Sequence, residues 1–217
     1  MSVPKKIIGI VGGAVSGSVF ALQVLSHPLL RKRYMPVVYE QLGSPIISEC
    51  ENENEGSKDP ISVIHTAGAS LGIFSNGLFP LFQLGLRADL ERIGVQMAEI
   101  EVWSGDLKGN HTLWNTLRNQ GWDPDLESSV MVFERSRIRD LLLSRVANSG
   151  GSVQWHKKVV GVAATEHSRP RLQFNDGDSE EVDLLIGADG AWSPVRRFIL
   201  GQVKPEDAKE RWPAVSL

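Results

Sequence analysis

The chain of 217 residues has one cysteine, Cys50, two tyrosines and a net charge of only −3. Each scarcity excludes something. A lone cysteine cannot close an internal disulfide and suits a reducing compartment, so a cytoplasmic location is the expectation. A near-neutral balance, with a pI near 6.0, gives no general attraction to nucleic acid or anionic lipid, and neither is expected as a partner. His27, His65, His111, His156 and His167 are scattered without metal-ligand spacing, which argues against a metal site. There is no G-x-S-x-G elbow, no Tyr-x-x-x-Lys pair, and no histidine close to Cys50 in the polar stretch around it, so hydrolase and short-chain dehydrogenase chemistries fare poorly. The tryptophans lack an interleaved basic stripe and read as core or pocket walls.

What is present is ordinary in amount, 41% hydrophobic and 23% charged, and so fits a globular protein. One stretch stands out. Residues 7–25, IIGIVGGAVSGSVFALQVL, carry no charge and follow Lys5 and Lys6, as a membrane or secretion segment would. Gly9, Gly12, Gly13 and Gly17 interrupt it, and glycine weakens a helix. The pattern reads better as a β-branched strand, a glycine turn and a helix, the order in which backbone N–H groups and a helix amino end face a pyrophosphate. A dinucleotide fold also needs an acid at the end of its second strand, about 20 residues on. MPVVYE supplies Glu40. The middle position of G-x-G-x-x-G is Ala14, which adds a methyl where the pyrophosphate would pass.

Beyond Glu40, residues 41–60 read as a flexible acidic surface insertion. A strand at Leu71–Phe74 and a helix with Leu78, Leu81, Phe82 and Leu84–Leu86 inward follow. Residues 97–117 look like a strand pair, and 135–151 like a helix with Ile138, Leu141, Leu142 and Arg145 at helical spacing, ended by two glycines. Strands near Val153–Trp155, Val159–Ala164 and Arg171–Phe174 suggest a meander, and EVDLLIGADG a last buried strand. The order makes the chain α/β, a parallel sheet with an attached β part.

The last turn, GADGAWSPVR, places Asp189 between glycines with Ser193 and Arg196 opening a helix. Together with GGAVSG, Glu40, Arg135 in VFERSRIRDLL and GASLGIFSNGL, all in order, the chain resembles the FAD-dependent monooxygenases of the para-hydroxybenzoate hydroxylase type. The resemblance runs from Ile7 to about Leu200. It implies a Rossmann-like FAD-binding domain over residues 1–200, with 201–217 a short tail. It implies that Gly12, Gly13, Ala14 and Gly17 lie along the FAD pyrophosphate, that Glu40 holds the adenosine ribose, that Gly68 and Ala69 lie near the flavin, and that Arg135 and Asp189 contact the cofactor. Each has a plainer alternative: a solvated first-turn residue for Arg135, a helix cap for Asp189, a surface charge for Arg196.

Members of that family run to about twice this length, with a substrate-covering sheet and a second Gly-Asp motif. The resemblance therefore implies an amino-terminal half, its substrate domain largely missing and its pocket open enough to leak peroxide, unless a partner chain or dimer completes it. The implied reaction is hydroxylation or epoxidation of a small aromatic or polyketide-like substrate in secondary-metabolite biosynthesis, with NADPH or NADH as reductant. Two alternatives remain: a non-catalytic flavoprotein remnant or partner subunit, and a nicotinamide-dependent dehydrogenase. No catalytic residue is assigned.

Overall fold

The computed structural model describes residues 4–44, 70–97, 99–118, 130–165 and 169–201. In chain order the elements are β1 (Lys6–Val11), α1 (Val15–Ser26), α2 (Leu30–Arg33), β2 (Tyr34–Tyr39), β3 (Ser70–Phe74), α3 (Ser75–Gln83), α4 (Arg87–Ile93), β4 (Gly94–Gln96), β5 (Glu99–Gly105) and β6 (His111–Arg118), then β7 (Val130–Glu134), α5 (Arg135–Asn148), β8 (Ser152–Gln154), β9 (Val159–Ala164), β10 (Pro170–Phe174), β11 (Ser179–Glu181), β12 (Leu184–Gly187) and α6 (Pro194–Ile199). They divide into two compact units, Met1–Glu49 with Leu142–Leu217, and Cys50–Leu141.

The first unit holds a four-stranded parallel sheet in the order β12-β1-β2-β8. Residues 7–25 thus form a strand, a turn and the 12-residue helix α1, and the membrane alternative falls. No helix among the described residues is long and apolar enough to cross a membrane. Alternation along β1 sends neighbouring side chains to opposite faces. Ile10 lies under Gly17 of α1, whereas Val11 joins a core with Tyr39, Val159, Leu172, Phe174, Val182 and Val195. That second core is roofed by the antiparallel sheet β11-β10-β9. Within it the Tyr39 hydroxyl donates to Glu180 Oε2 at 2.7 Å. Burial, and then that carboxylate, push the phenol far above its ordinary range, so it stays a neutral donor.

The second unit carries the antiparallel sheet β3-β7-β4 and the separate hairpin β5-β6. Leu78, Leu81, Leu86, Leu90, Met131 and Phe133 are fully or almost fully buried.

Several expectations need correction. The strand expected at Val153–Trp155 forms as β8 but pairs in parallel with β2, because it follows a helix, and a helical crossover returns the chain parallel to its neighbour. The third meander strand is β11 instead. The last strand, β12, is an edge rather than a buried strand, with Leu184 46% exposed. On α5 the buried row is Ile138, Leu142, Leu143 and Val146, while Leu141 is half-buried and Arg145 exposed. On α3, Phe82 is half-buried under the Arg87 guanidinium, 4.5 Å from its ring centre. The acidic stretch at 41–60 lies mostly outside the described residues.

The core gives a direct test. Leu172→Ala removes a fully buried side chain and should cost about 2–5 kcal/mol in urea unfolding. Leu107→Ala, at an exposed turn position, should change stability by less than about 0.5 kcal/mol.

A second test concerns charge. Lys157 Nζ lies 2.6 Å from Asp176 Oδ2 and 2.5 Å from Asp178 Oδ2. Its hydrogen bonds to Asp176 and then Asp178 push the ammonium up to about 12, and the bond from Lys157 holds Asp176 below its usual 3.8. The lysine's contribution is complete below the unfolded value of 10.5 and is lost as pH rises through the folded value. The aspartate's is complete above 3.8 and is lost as pH falls through its lowered value. Lys157→Met should therefore flatten both the acid and alkaline limbs of a stability–pH profile measured by thermal unfolding.

Candidate functional site

β1 lies between β2 and β12, so successive strands fall on either side of it and leave a crevice at its carboxyl end. Such a reversal is where open parallel sheets take ligands. Three turns meet there, all within the first unit: Gly12–Ala14 after β1, Glu40 after β2, and Ala188–Gly190 after β12. Backbone bonds lace them together. The Gly12 N–H donates to the Tyr39 carbonyl at 3.0 Å and the Ala188 N–H to the Val11 carbonyl at 2.8 Å.

Glycine is required at two positions of the first turn. Gly12 has φ +98°, and a Cβ there would lie 2.4 Å from the Ala188 carbonyl oxygen. A Cβ on Gly17 would lie 2.0 Å from the Gly12 carbonyl oxygen. Ala14 differs, because its φ of −70° is open to any residue, and the alanine costs only the volume of its methyl.

Ala14 is also the N-cap of α1 and offers no capping side chain. The first helical bond runs from the Ser18 N–H to the Ala14 carbonyl at 3.1 Å, so the N–H groups of Val15, Ser16 and Gly17 have no helical acceptor. A serine, aspartate or asparagine normally meets that need. Left uncapped behind a left-handed glycine, this end offers donors and a positive dipole to an anion.

Glu40 is buried, 6% exposed, and its carboxylate braces the crevice. Oε2 accepts from the Gly13 N–H and Oε1 from the Leu42 N–H, both at 2.9 Å. Each oxygen keeps a lone pair for a further donor such as a hydroxyl. Ser18, which the motif alone did not single out, donates its Oγ to the Gly13 carbonyl at 2.9 Å and is fully buried. Its signal was a small hydroxyl next to the third glycine.

Asp189 behaves as a helix-start acceptor: Oδ2 takes the Val195 N–H at 3.3 Å, beside Ser193, whose Oγ takes the Arg196 N–H at 2.8 Å. Asp189 Oδ1 makes no hydrogen bond among the described residues. The Arg196 guanidinium donates to the Ala191 carbonyl, and Trp192 is 84% exposed. Arg135 belongs to the second unit. It opens α5 directly after β7, is exposed and has no hydrogen bond or ion pair among the described residues, whereas Ser136 and Arg137 both turn back to Glu134. Gly68 and Ala69 lie outside the described residues. Among the described residues no group of His, Cys, Asp and Glu is arranged to hold a metal ion.

These features fit a dinucleotide: a glycine cradle that a Cβ would fill, an uncapped helix start, and a carboxylate with spare lone pairs. The family described as FAD binding domain matches residues 83–216, more than half of the chain. The chain belongs to this family. Among its relatives, an FAD-dependent urate hydroxylase of Mycolicibacterium vanbaalenii is 28% identical over 62% of this chain and 33% of its own length. The FAD-dependent monooxygenase andE of Emericella variicolor is 27% identical over 87% of this chain and 34% of its own. The FAD-dependent monooxygenase ausM of Emericella nidulans is 30% identical over 63% of this chain and 27% of its own. The chain thus spans about a third or less of the length of these curated relatives. Two solved structures share the fold: a 2-methyl-3-hydroxypyridine-5-carboxylic acid oxygenase, with TM-score 0.62 and 19% identity over 90% of this chain and 42% of its own, and pqsL of Pseudomonas aeruginosa, a probable FAD-dependent monooxygenase, with TM-score 0.61 and 19% identity over 91% and 46%. The expected Rossmann-like architecture, a parallel sheet with a β-meander, is therefore that of FAD-binding monooxygenases.

Glu40→Ala tests the brace. It strands two N–H donors, of Gly13 and Leu42, and should lower stability by about 2–4 kcal/mol in urea unfolding. Glu40→Gln keeps one acceptor and should recover part of that loss.

Proposed function

We propose that this chain holds the FAD of a monooxygenase that acts on a small organic substrate and draws electrons from NADPH or NADH. The observation that carries the reading is the uncapped start of α1, pressed against Gly12 by Gly17 at the switch point of the sheet. A donor-rich, side-chain-free concavity suits two linked phosphates. A bound flavin would supply the redox chemistry, in which two electrons from the nicotinamide and one O₂ give an oxygenated substrate and water.

The chain's own residues bind and orient. In this reading the N–H groups at the start of α1 take the pyrophosphate, with Gly12, Gly13 and Gly17 admitting it and the Ala14 methyl setting its closest approach. Glu40 accepts a ribose hydroxyl on lone pairs that its two backbone donors leave open. Those donors also keep the carboxylate from swinging toward the phosphates, where like charge would repel. Asp189 Oδ1 is free to accept from the cofactor while Oδ2 anchors α6. Arg135, which has no hydrogen bond or ion pair among the described residues, carries a guanidinium suited to a phosphate or ribose oxygen pair. Fungal monooxygenases among the relatives support a place in accessory biosynthesis. A partner chain or a second copy that completes the pocket belongs to the same reading.

The visible spectrum of purified protein, incubated with FAD and gel-filtered, tests this. About one bound flavin per chain is expected, reduced at least tenfold in affinity by Gly17→Ala and by Asp189→Ala. A folded protein that stays colourless overturns the reading. Nicotinamide-dependent oxygen uptake then separates a competent enzyme from a flavin carrier.

A further inference from the structure

We propose that the amino end of the parallel sheet, opposite the glycine turns, is a docking surface for an anionic lipid bilayer. The first 39 residues contain five lysines and arginines, Lys5, Lys6, Arg31, Lys32 and Arg33, and no aspartate or glutamate. The fold gathers all five. Lys6 is the register partner of Tyr34, so the start of β1 runs beside the end of α2, which carries Arg31, Lys32 and Arg33 in its last turn.

All five are exposed, and none of their side chains has an ion pair or hydrogen bond among the described residues. Elsewhere in the same unit Lys157, Arg169 and Arg171 each sit against a carboxylate. The carboxylate that the sheet brings to this end, Asp183, is already engaged: Oδ2 accepts the Ile7 N–H and Oδ1 pairs with Arg169. Among the described residues the positive charge is therefore uncompensated locally, although the whole chain is at −3.

The same turn exposes aliphatic side chains. Leu29 is 66% and Leu30 37% exposed, and His27 Nδ1 accepts both of their N–H groups, at 3.3 and 3.4 Å, which fixes the turn. Two leucines followed at once by three cations fit an interface where acyl chains lie beneath anionic headgroups. A nucleic acid would satisfy the charges but leave the leucines in water, with no stacking platform among them. The lipid is the occupant that uses both.

The test is co-sedimentation of the full chain with vesicles of phosphatidylcholine alone and of equal parts phosphatidylcholine and phosphatidylserine. Binding is expected only to the second and should fall with added salt. Replacing Arg31, Lys32 and Arg33 by alanine together should weaken it about a hundredfold, at about fivefold per cation. Leu29→Ser with Leu30→Ser should weaken it about tenfold. Circular dichroism reports whether each variant folds, and Lys5→Ala with Lys6→Ala reads the same surface from the strand side. No sedimentation with the anionic vesicles, equal sedimentation with both kinds, or binding untouched by these substitutions overturns the proposal. So does retention on transfer RNA without binding to vesicles, which would make this a nucleic-acid surface.

Discussion

The carboxyl end of the parallel sheet depends on one close approach, that of α1 to the turn before it. With 2.0 Å between the Gly12 carbonyl oxygen and the place a Gly17 Cβ would take, any side chain at 17 lifts the first turn of the helix away. The donors of Val15, Ser16 and Gly17 move with it. The same helix covers Ile10 on the sheet face opposite Val11, so its placement also decides how β1 is packed. Gly12 is held from the other side by the turn after β12, whose Ala188 carbonyl leaves no room for a Cβ. Strand order, turn and helix are thus one constraint rather than three.

That constraint explains why Ala14 is tolerated in a glycine motif. Gly12 needs a left-handed backbone and Gly17 needs the absence of a Cβ, but the middle position has an extended backbone. What remains there is a matter of ligand clearance. The departure touches how near a phosphate comes, not whether the turn forms.

The elements that carry local signals were legible in the sequence: the strand, turn and helix at the start, Glu40 at the end of β2, the hairpin β5-β6, and Ser193 capping α6. What was not legible was partnership. β8 has three residues, too few for alternation to show which faces are covered, and nothing in it tells a parallel partner from a meander neighbour. β12 reads as apolar in DLLIG yet forms an edge, because composition reports burial on a face and not a missing neighbour. The buried row on α5 differs from the one its spacing suggests because Leu141, Leu142 and Leu143 are chemically alike. Asp189 shows the limit at the site itself. Its motif marked it as functional, and the geometry gives it a helix-start bond through one oxygen while leaving the other open, so the plain and functional readings divide between its two atoms.

Net charge was the least informative quantity of all, because it averages over ends of the sheet that differ. The cations gather where β1 begins and the donor-rich turn lies where it finishes, six residues later, or about 20 Å at 3.3 Å per residue. That is about two and a half times the screening length of about 8 Å in physiological salt. The basic surface therefore adds little to the attraction that the helix start offers a pyrophosphate, and a phosphate bound at the turn subtracts little from the pull of the cations on a charged bilayer. Two anion-seeking features can share one strand only because the strand is long enough to keep their fields apart. A protein lying on a membrane by its strand starts would keep its glycine turns directed away from the lipid.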